Sequence, residues 1–421
     1  MNRPLTHLLI SACLSLGAFA CGERAQTPSV VSDAGADADE QDADSTPGPD
    51  AGADAAPDAS PDAGGPPPEA TVFEPGPYNV GYRRTEITYD ATTEAGRTLK
   101  LAVWYPTNDT EGEPANYIFS FKRDTVLTDA TVALDAPAPL LVFSHGNTSL
   151  AEQSYFMTEF WASHGWVVIA PYHTGNTIFE AAGGINLASA PVRPQDISAS
   201  MDYIYGLPAA DPLHAKISDD VVMTGHSFGG FTTLAISGTG FAVDDAVAFC
   251  EQPDAPSECE LLDQPGVIDS FRAGFLDPRV DVAIPQTPGG FLFFQDGLAD
   301  IEVPTLLMTA RRDATLTAAT EGDPIWAALT GQHVRLDLLN AGHFTFSNMC
   351  VLLPGVPQVQ EDGCADDFIA PELGFELINA YALAFARYHL FDDRAYLGLF
   401  DGTDARYAAE VEVSLKQGAL P

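Results

Sequence analysis

Three side-chain types that can together break an acyl bond occur in this chain in a meaningful order. Residues 221–231 read VVMTGHSFGGF, which sets Ser227 between Gly225 and Gly229. The pattern G-x-S-x-G is short and the chain has 36 glycines, so the five letters alone decide nothing. Their setting does. Val221–Thr224 reads as a strand, and Phe228, Phe231, Leu234 and Ala235 fall at helical spacing on one face. Ser227 is therefore expected in a strand-to-helix turn, its hydroxyl lifted off the sheet edge, with the flanking glycines allowing the turn to be sharp. The helix N-terminus beneath it favours developing negative charge.

A serine hydroxyl is a poor nucleophile until a base takes its proton and a third group orients that base. In this arrangement the chain order is Ser, then Asp or Glu, then His, each on the loop after a later strand. The acid is expected after the run VPTLLMT, where Arg311-Arg312-Asp313 follows. Asp296 and Asp300 are rivals, but they precede that strand, where solvated loop acids are common. The base is expected past the last strand, in VRLDLLNAGHFTFS, which gives His343. His333 comes before that strand, and His389 falls in a long amphipathic helix, where a surface or packing role is more usual. An imidazole suits the task because its ordinary pKa is near the operating pH. Two N–H donors are needed for the oxyanion: the backbone amides of Phe228 and of Asn147, the latter in the loop after LLVFSHGNTS, where Gly146 allows close approach. His226 and His173 are read as supporting or surface groups.

The elements that must position these residues follow from the hydrophobic pattern. Two strand-like runs open the globular part, around Arg84–Tyr89 and Leu99–Tyr105. Short apolar runs then recur at Leu140–Phe143, Trp166–Ile169, Val221–Met223, Val280–Ile284, Thr305–Met308 and Val334–Leu339. Helical stretches lie between several of them, at Gln153–Ser163, Gln195–Tyr205 and Phe228–Ile236. Near-continuously apolar strands alternating with helices predict one α/β domain over residues 73–421, with a mostly parallel sheet covered on both faces. An insertion around Phe241–Phe275 is expected within it.

The bulk of the sequence narrows the partners. A formal net charge of −40 excludes a phosphate-backbone surface, so no nucleic acid is expected. No Lys or Arg occurs between Arg24 and Arg83, while Asp recurs every few residues. Residues 1–20 read as a signal peptide: Arg3, an apolar run from Leu8 to Ala20, and the small-x-small site Ala18-Phe19-Ala20. Cys21 follows at once, which resembles the lipobox of bacterial lipoproteins; in an ordinary signal peptide Cys21 would be incidental. Ile10-Ser11-Ala12-Cys13 fits the lipobox better by letter but leaves too little apolar run before it. Residues 21–72 are rich in Asp, Ala, Pro and Gly, cannot bury enough apolar surface to offset their ordering entropy, and read as a disordered tether. The expectation is an exported chain, held at a membrane only through lipid on Cys21. Of six cysteines, Cys250, Cys259, Cys350 and Cys364 remain for an oxidised, exported domain. Four cysteines allow three pairings, of which the short-range pairs Cys250–Cys259 and Cys350–Cys364 are favoured. A zinc site is the alternative, but no Cys-x2-Cys or nearby His supports it.

These residues and the segments around them resemble the dienelactone-hydrolase-like branch of the α/β-hydrolases. Within it they are similar to the platelet-activating-factor acetylhydrolase-like proteins and to bacterial cutinase-like polyesterases. The resemblance runs in order through GPYNV (76–80), LAVWYPTN (101–108), PLLVFSHG (139–146), ASHGWVVIAPYH (162–173), GHSFGG (225–230), PQTP (285–288), VPTLLMTARRDAT (303–315), AGHF (341–344) and ARYHLFDDRAY (386–396). It implies an α/β-hydrolase fold, with Ser227, Asp313 and His343 as catalytic triad and the amides of Asn147 and Phe228 as oxyanion donors. The reaction it implies is carboxylic-ester hydrolysis through an acyl-enzyme, without metal or organic cofactor, by a monomer acting on a small-molecule, lipid or polyester substrate. The polyesterases carry an aromatic clamp just after their PQAP-like segment. This chain has Gly289-Gly290 there, which weighs against an aromatic polyester. Two other readings use the same residues: an inactive surface-anchored binding lipoprotein, and an acyltransferase.

Overall fold

The first folded segment alternates polar and apolar residues, and its burial alternates with it: from Arg83 to Asp90 successive side chains are half-buried and exposed in turn. It forms strand β1 (Asn79–Ala91), which pairs antiparallel with β2 (Glu94–Thr107) as a long hairpin. Both strands extend well beyond the apolar stretches that announce them, because the ladder continues wherever one face is wet. The computed structural model describes residues 71–117, 121–180, 187–253, 255, 257–353, 355–416 and 418–420. The signal segment, Cys21 and residues 22–70 lie outside the described residues. Val72 is fully buried in the core, so the folded part reaches back beyond the boundary at 73 read from composition.

The remaining strands are β3 (Pro114–Asn116), β4 (Lys122–Thr128), β5 (Ala138–Ser144), β6 (Val167–Tyr172), β7 (Ile217–His226), β8 (Val282–Gln286), β9 (Thr305–Ala310), β10 (His333–Leu338) and β11 (Val411–Leu415). They join in one sheet of 11 strands, in the order β11-β10-β9-β8-β7-β5-β6-β2-β1-β4-β3. From β6 across to β10 every pairing is parallel, and β11 closes the far edge antiparallel. Strands β3, β4 and β11 are not announced in the sequence: they are short or largely polar edge segments, where no buried face imposes a pattern.

The helices are α1 (Tyr155–Ser163), α2 (Arg193–Tyr205), α3 (Phe228–Ile236), α4 (Val243–Cys250), α5 (Val267–Ala273) and α6 (Pro371–Phe391), with shorter turns between. Successive residues of the parallel strands feed opposite layers, as the pleat requires. Val222 packs into the layer that holds Trp161 of α1 and Leu377 and Phe385 of α6. Val221 and Met223 pack into the layer that holds Ile197 and Met201 of α2. Helix α3 joins a third cluster that contains α4 and α5, with Phe241 as its hub: its ring lies 5.1 Å from Phe271, 5.2 Å from Phe293 and 5.4 Å from Phe294. Cys250 and Cys259 are bonded beside these helices, and Cys350 is bonded to Cys364, with Cα separations of 5.4 and 5.1 Å.

The chain runs from β5 outward to β6, then returns past β5 to β7. At such a reversal the loops after the two strands ordinarily diverge to opposite sides of the sheet, which makes the strands' carboxyl ends the place for a crevice. Those two loops carry Asn147 and Ser227.

Candidate active site

Ser227 is the residue between β7 and α3, and its backbone has φ 59°. A left-handed φ is costly for a residue with a Cβ and persists only when the surroundings enforce it. Here the Ser227 N–H donates to the Gln286 carbonyl at 2.9 Å, and the Ser227 carbonyl accepts the Phe231 N–H at 3.1 Å. The flanking glycines have a different purpose from turn sharpness. A Cβ on Gly229 would stand 1.8 Å from the Ser144 carbonyl oxygen, and one on Gly225 2.5 Å from the same atom. They let the end of β5 press against the turn, which brings the two loops of the crevice together.

Asp313 and His343 come from the loops after β9 and β10, and the structure joins them: His343 Nδ1 lies 2.8 Å from Asp313 Oδ2, both side chains almost wholly buried. The other Asp313 oxygen accepts the Leu316 N–H at 2.6 Å. The two arginines before it turn away. Arg311 pairs with Asp323 and Asp337, and Arg312 with Asp367, so neither competes with His343 for the carboxylate. Asp296 and Asp300 lie in a helical turn, Gln295–Asp300, and have no contact with His343 among the described residues. Burial by itself would depress the His343 pKa. The charge and hydrogen bond of Asp313, with a further contribution from Asp362, overcome that and hold it above the ordinary imidazole value.

The His343 ring lies 4.6 Å from that of His226, the neighbour of Ser227. Among the described residues the Ser227 hydroxyl donates to no group, so in the resting molecule it stands free in the crevice. Hydrogen bonds between nucleophile and base often tighten only when substrate is present. The backbone N–H groups of Asn147 and Phe228 likewise donate to no described group, and the buried Asn147 Nδ2 is unpartnered too. Free donors on both sides of the serine are what an oxyanion requires.

Several residues that the sequence does not single out hold this arrangement. Gln153 accepts the Gly146 N–H at 2.7 Å and, through Nε2, donates to His226 Nδ1 at 2.8 Å. That fixes the neutral His226 tautomer whose Nε2 donates to the His343 carbonyl at 2.9 Å. His226 and His173 are buried, and burial pushes both pKa values well below the ordinary one, so neither is a surface group. Asp362 accepts from both loops of the pair. Its Oδ1 takes the N–H groups of His343 at 2.9 Å and Ala314 at 3.0 Å, and its Oδ2 takes the N–H and hydroxyl of Thr315 at 2.9 and 2.7 Å. The position of Asp362, two residues before Cys364 inside the second disulfide loop, is the one signal in the sequence that could draw attention to it. Glu321, whose carboxyl burial pushes up to about 7, accepts the Phe291 N–H at 2.9 Å beside Gly289-Gly290. His333, the first residue of β10, is buried, and His389 is half-buried on α6; neither reaches the site.

No family model matches this chain, and no curated protein does. Among solved structures it is similar to a ferulic acid esterase from Streptomyces cinnamoneus. The two share 21% identity over 83% of this chain and 99% of that one, with a TM-score of 0.54. Together with the doubly covered, mostly parallel sheet, this likeness shows an α/β fold shared with that esterase.

Proposed function

We propose that the chain is a serine hydrolase of carboxylic esters that works through an acyl-enzyme. The observation that carries this is the buried His343–Asp313 pair held beside a serine in a left-handed turn, with two free backbone amides around it. Ser227 Oγ attacks the ester carbonyl while His343 Nε2 takes its proton. Asp313 holds Nδ1–H and stabilises the imidazolium. The carbonyl oxygen, now anionic, rests on the amides of Phe228 and Asn147. Collapse expels the alcohol, which takes the proton from His343 and leaves Ser227 acylated. Water, activated by the same imidazole, then releases the acid and restores the serine.

The dienelactone-hydrolase-like branch is the reading the quoted segments favour, and the ester named for the structural neighbour is consistent with the reaction class. Where an aromatic clamp would stand in the polyesterases, a Cβ on Gly290 would meet the Phe231 ring at 2.7 Å, and one on Gly289 the Leu316 side chain at 3.1 Å. A side chain would be strained at Gly290 and would displace Leu316 at Gly289, and with no clamp residue present small or lipid esters are preferred to aromatic polyesters as substrates.

Fluorophosphonate should label the protein at Ser227, and Ser227→Ala should lose both labelling and hydrolysis of a chain-length panel of p-nitrophenyl esters while keeping its fold. Persistent labelling at another serine would remove the assignment, and a protein inert to the probe would be a binding lipoprotein on a hydrolase scaffold.

A further inference from the structure

Arg193, at the start of α2, is fully buried and touches both walls of the crevice. On the β5 side its guanidinium donates to the His145 carbonyl and to Ser144 Oγ at 3.2 Å, and at 2.6 Å to Asn176 Oδ1. Asn176 passes the contact on, since its Nδ2 donates to Asn147 Oδ1 at 2.9 Å. On the α3 side Arg193 Nε donates to Thr232 Oγ1 at 3.1 Å, and the guanidinium carbon stands 4.5 Å from the centre of the Phe228 ring. One planar fork thus braces the two segments whose amides are free.

Its charge is the second observation. A buried guanidinium ordinarily sits on a carboxylate, because an unpaired charge away from water is costly. Among the described residues no carboxylate pairs with Arg193. The nearest acid in the cluster, Asp196, is taken bidentately by Arg97 at 2.7 and 2.9 Å, and also accepts from Tyr89 and His173. His145 and His173 could only add further positive charge, and burial, then the Arg193 charge, keeps both neutral. Burial also lowers the Arg193 pKa, to about 9. The Asp196 charge acts on Arg193 from a distance but is shared with Arg97, so the fork keeps a fixed, water-excluded positive charge that no carboxylate hydrogen-bonds, which is matched to an anion that forms only during reaction.

We propose that Arg193 is the positioning residue of the oxyanion hole, fixing the spacing of the Asn147 and Phe228 amides and placing behind them a positive charge that the tetrahedral oxyanion neutralises. This rests on the ester-hydrolase reading of Ser227. The group does not touch the substrate. It acts through the two donors and through its field, so its removal should weaken transition-state binding and leave ground-state binding nearly unchanged.

The test compares wild type with Arg193→Met, Arg193→Lys and Asn176→Ala, using p-nitrophenyl acetate turnover and inhibition by a boronic acid, which becomes a tetrahedral anion on the serine. Loss of one oxyanion donor typically costs about 10²–10³ in kcat. Arg193→Met should therefore lose on the order of 10² in kcat with KM within about threefold, and boronate affinity should fall in parallel. Arg193→Lys, which keeps the charge and loses the fork, should fall between, and Asn176→Ala should lose kcat without KM. If Arg193→Met does not fold, Arg193→Lys and Asn176→Ala decide the question by the same readouts. A folded Arg193→Met with kcat within about threefold of wild type would overturn the proposal, as would equal losses in KM and kcat with boronate affinity held. A wild-type protein that fluorophosphonate does not label would instead overturn the hydrolase reading, and this proposal with it.

Discussion

His343 is subject to two opposed influences, burial against its positive charge and Asp313 in favour of it, and the second prevails. The proposed mechanism needs the neutral ring, so kcat/KM should rise with pH, with a midpoint above the ordinary imidazole value of about 6.5. The raised pKa also means that the protonated ring adds stability at low pH, and that this is lost as pH climbs through the same midpoint. Asp313→Asn leaves burial opposed only by the lesser effect of Asp362 and presents the wrong partner to Nδ1. The midpoint should fall, and kcat should drop by about 10⁴, the cost of the equivalent change in a serine protease triad. A pH profile whose midpoint did not move would assign the acid elsewhere. Glu321 offers a check on stability instead of activity. Its carboxyl is held protonated by burial to about pH 7, so its contribution is full below its unfolded value, near 4.5, and is lost as pH rises through 7. Glu321→Gln removes the ionisation. The variant should gain on wild type in thermal stability between about pH 5 and pH 8, by up to the order of 3 kcal/mol. A constant difference across that range would mean that Glu321 ionises freely in the folded protein.

Elements announce themselves in this sequence where burial is two-sided. The apolar runs of β5, β7, β9 and β10 are legible because both faces of those strands are covered, and the loops after β7, β9 and β10 follow directly, which is why Ser227, Asp313 and His343 can be singled out. Arg193 and Asp362 are not legible. Each works through contacts with segments far off in the chain, and beyond the nearness of Asp362 to Cys364 nothing in the local pattern of α2 or of the loop after β10 records them. Asp362 shows how such a contact is secured. The Cys350–Cys364 bond closes a loop that starts just after His343 and ends two residues beyond Asp362, so the carboxylate strapping the acid and base loops is itself held covalently. A loop of this size contributes roughly 3 kcal/mol in the chain-entropy model. Reduction should lower thermal stability and activity together, measured by unfolding and ester turnover on the same sample. Asp362→Asn leaves the disulfide intact but puts an NH₂ group where one set of donors points. It should lose at least about tenfold in kcat with a smaller effect on stability, since a buried donor facing donors costs about 1–3 kcal/mol. Full activity in Asp362→Asn would mean that the disulfide acts on stability alone.

At the scale of the whole molecule, every residue placed in the site lies between Ser144 and Asp362, and the folded body includes Val72. Val72 is fully buried, and Phe73 packs edge-on against Tyr396, 5.8 Å away, with Arg406 over its ring at 3.5 Å. We propose that the acidic N-terminal segment is not needed to build the site, whereas Val72 and Phe73 help to close the core. A protein beginning at Ala70 should match the full chain in ester turnover and thermal stability. One beginning at Glu74 should unfold earlier, because full burial of Val72 contributes about 1.5–3 kcal/mol and the half-buried Phe73 adds a smaller share. The same comparison tests export and anchoring, which we propose from Arg3, the apolar run and Cys21. If Cys21 is lipidated, the full-length protein made in a bacterium should partition into detergent, and Cys21→Ser and the protein beginning at Ala70 should both stay in the aqueous phase. Each buried CH₂ contributes about 0.8 kcal/mol and a single acyl chain holds only marginally, so the shift should be nearly complete if more than one chain is attached. Activity should be the same in all three, since the lipid acts on place and not on chemistry. Loss of turnover in the folded protein beginning at Ala70 would make the acidic segment part of the site and end its reading as a tether.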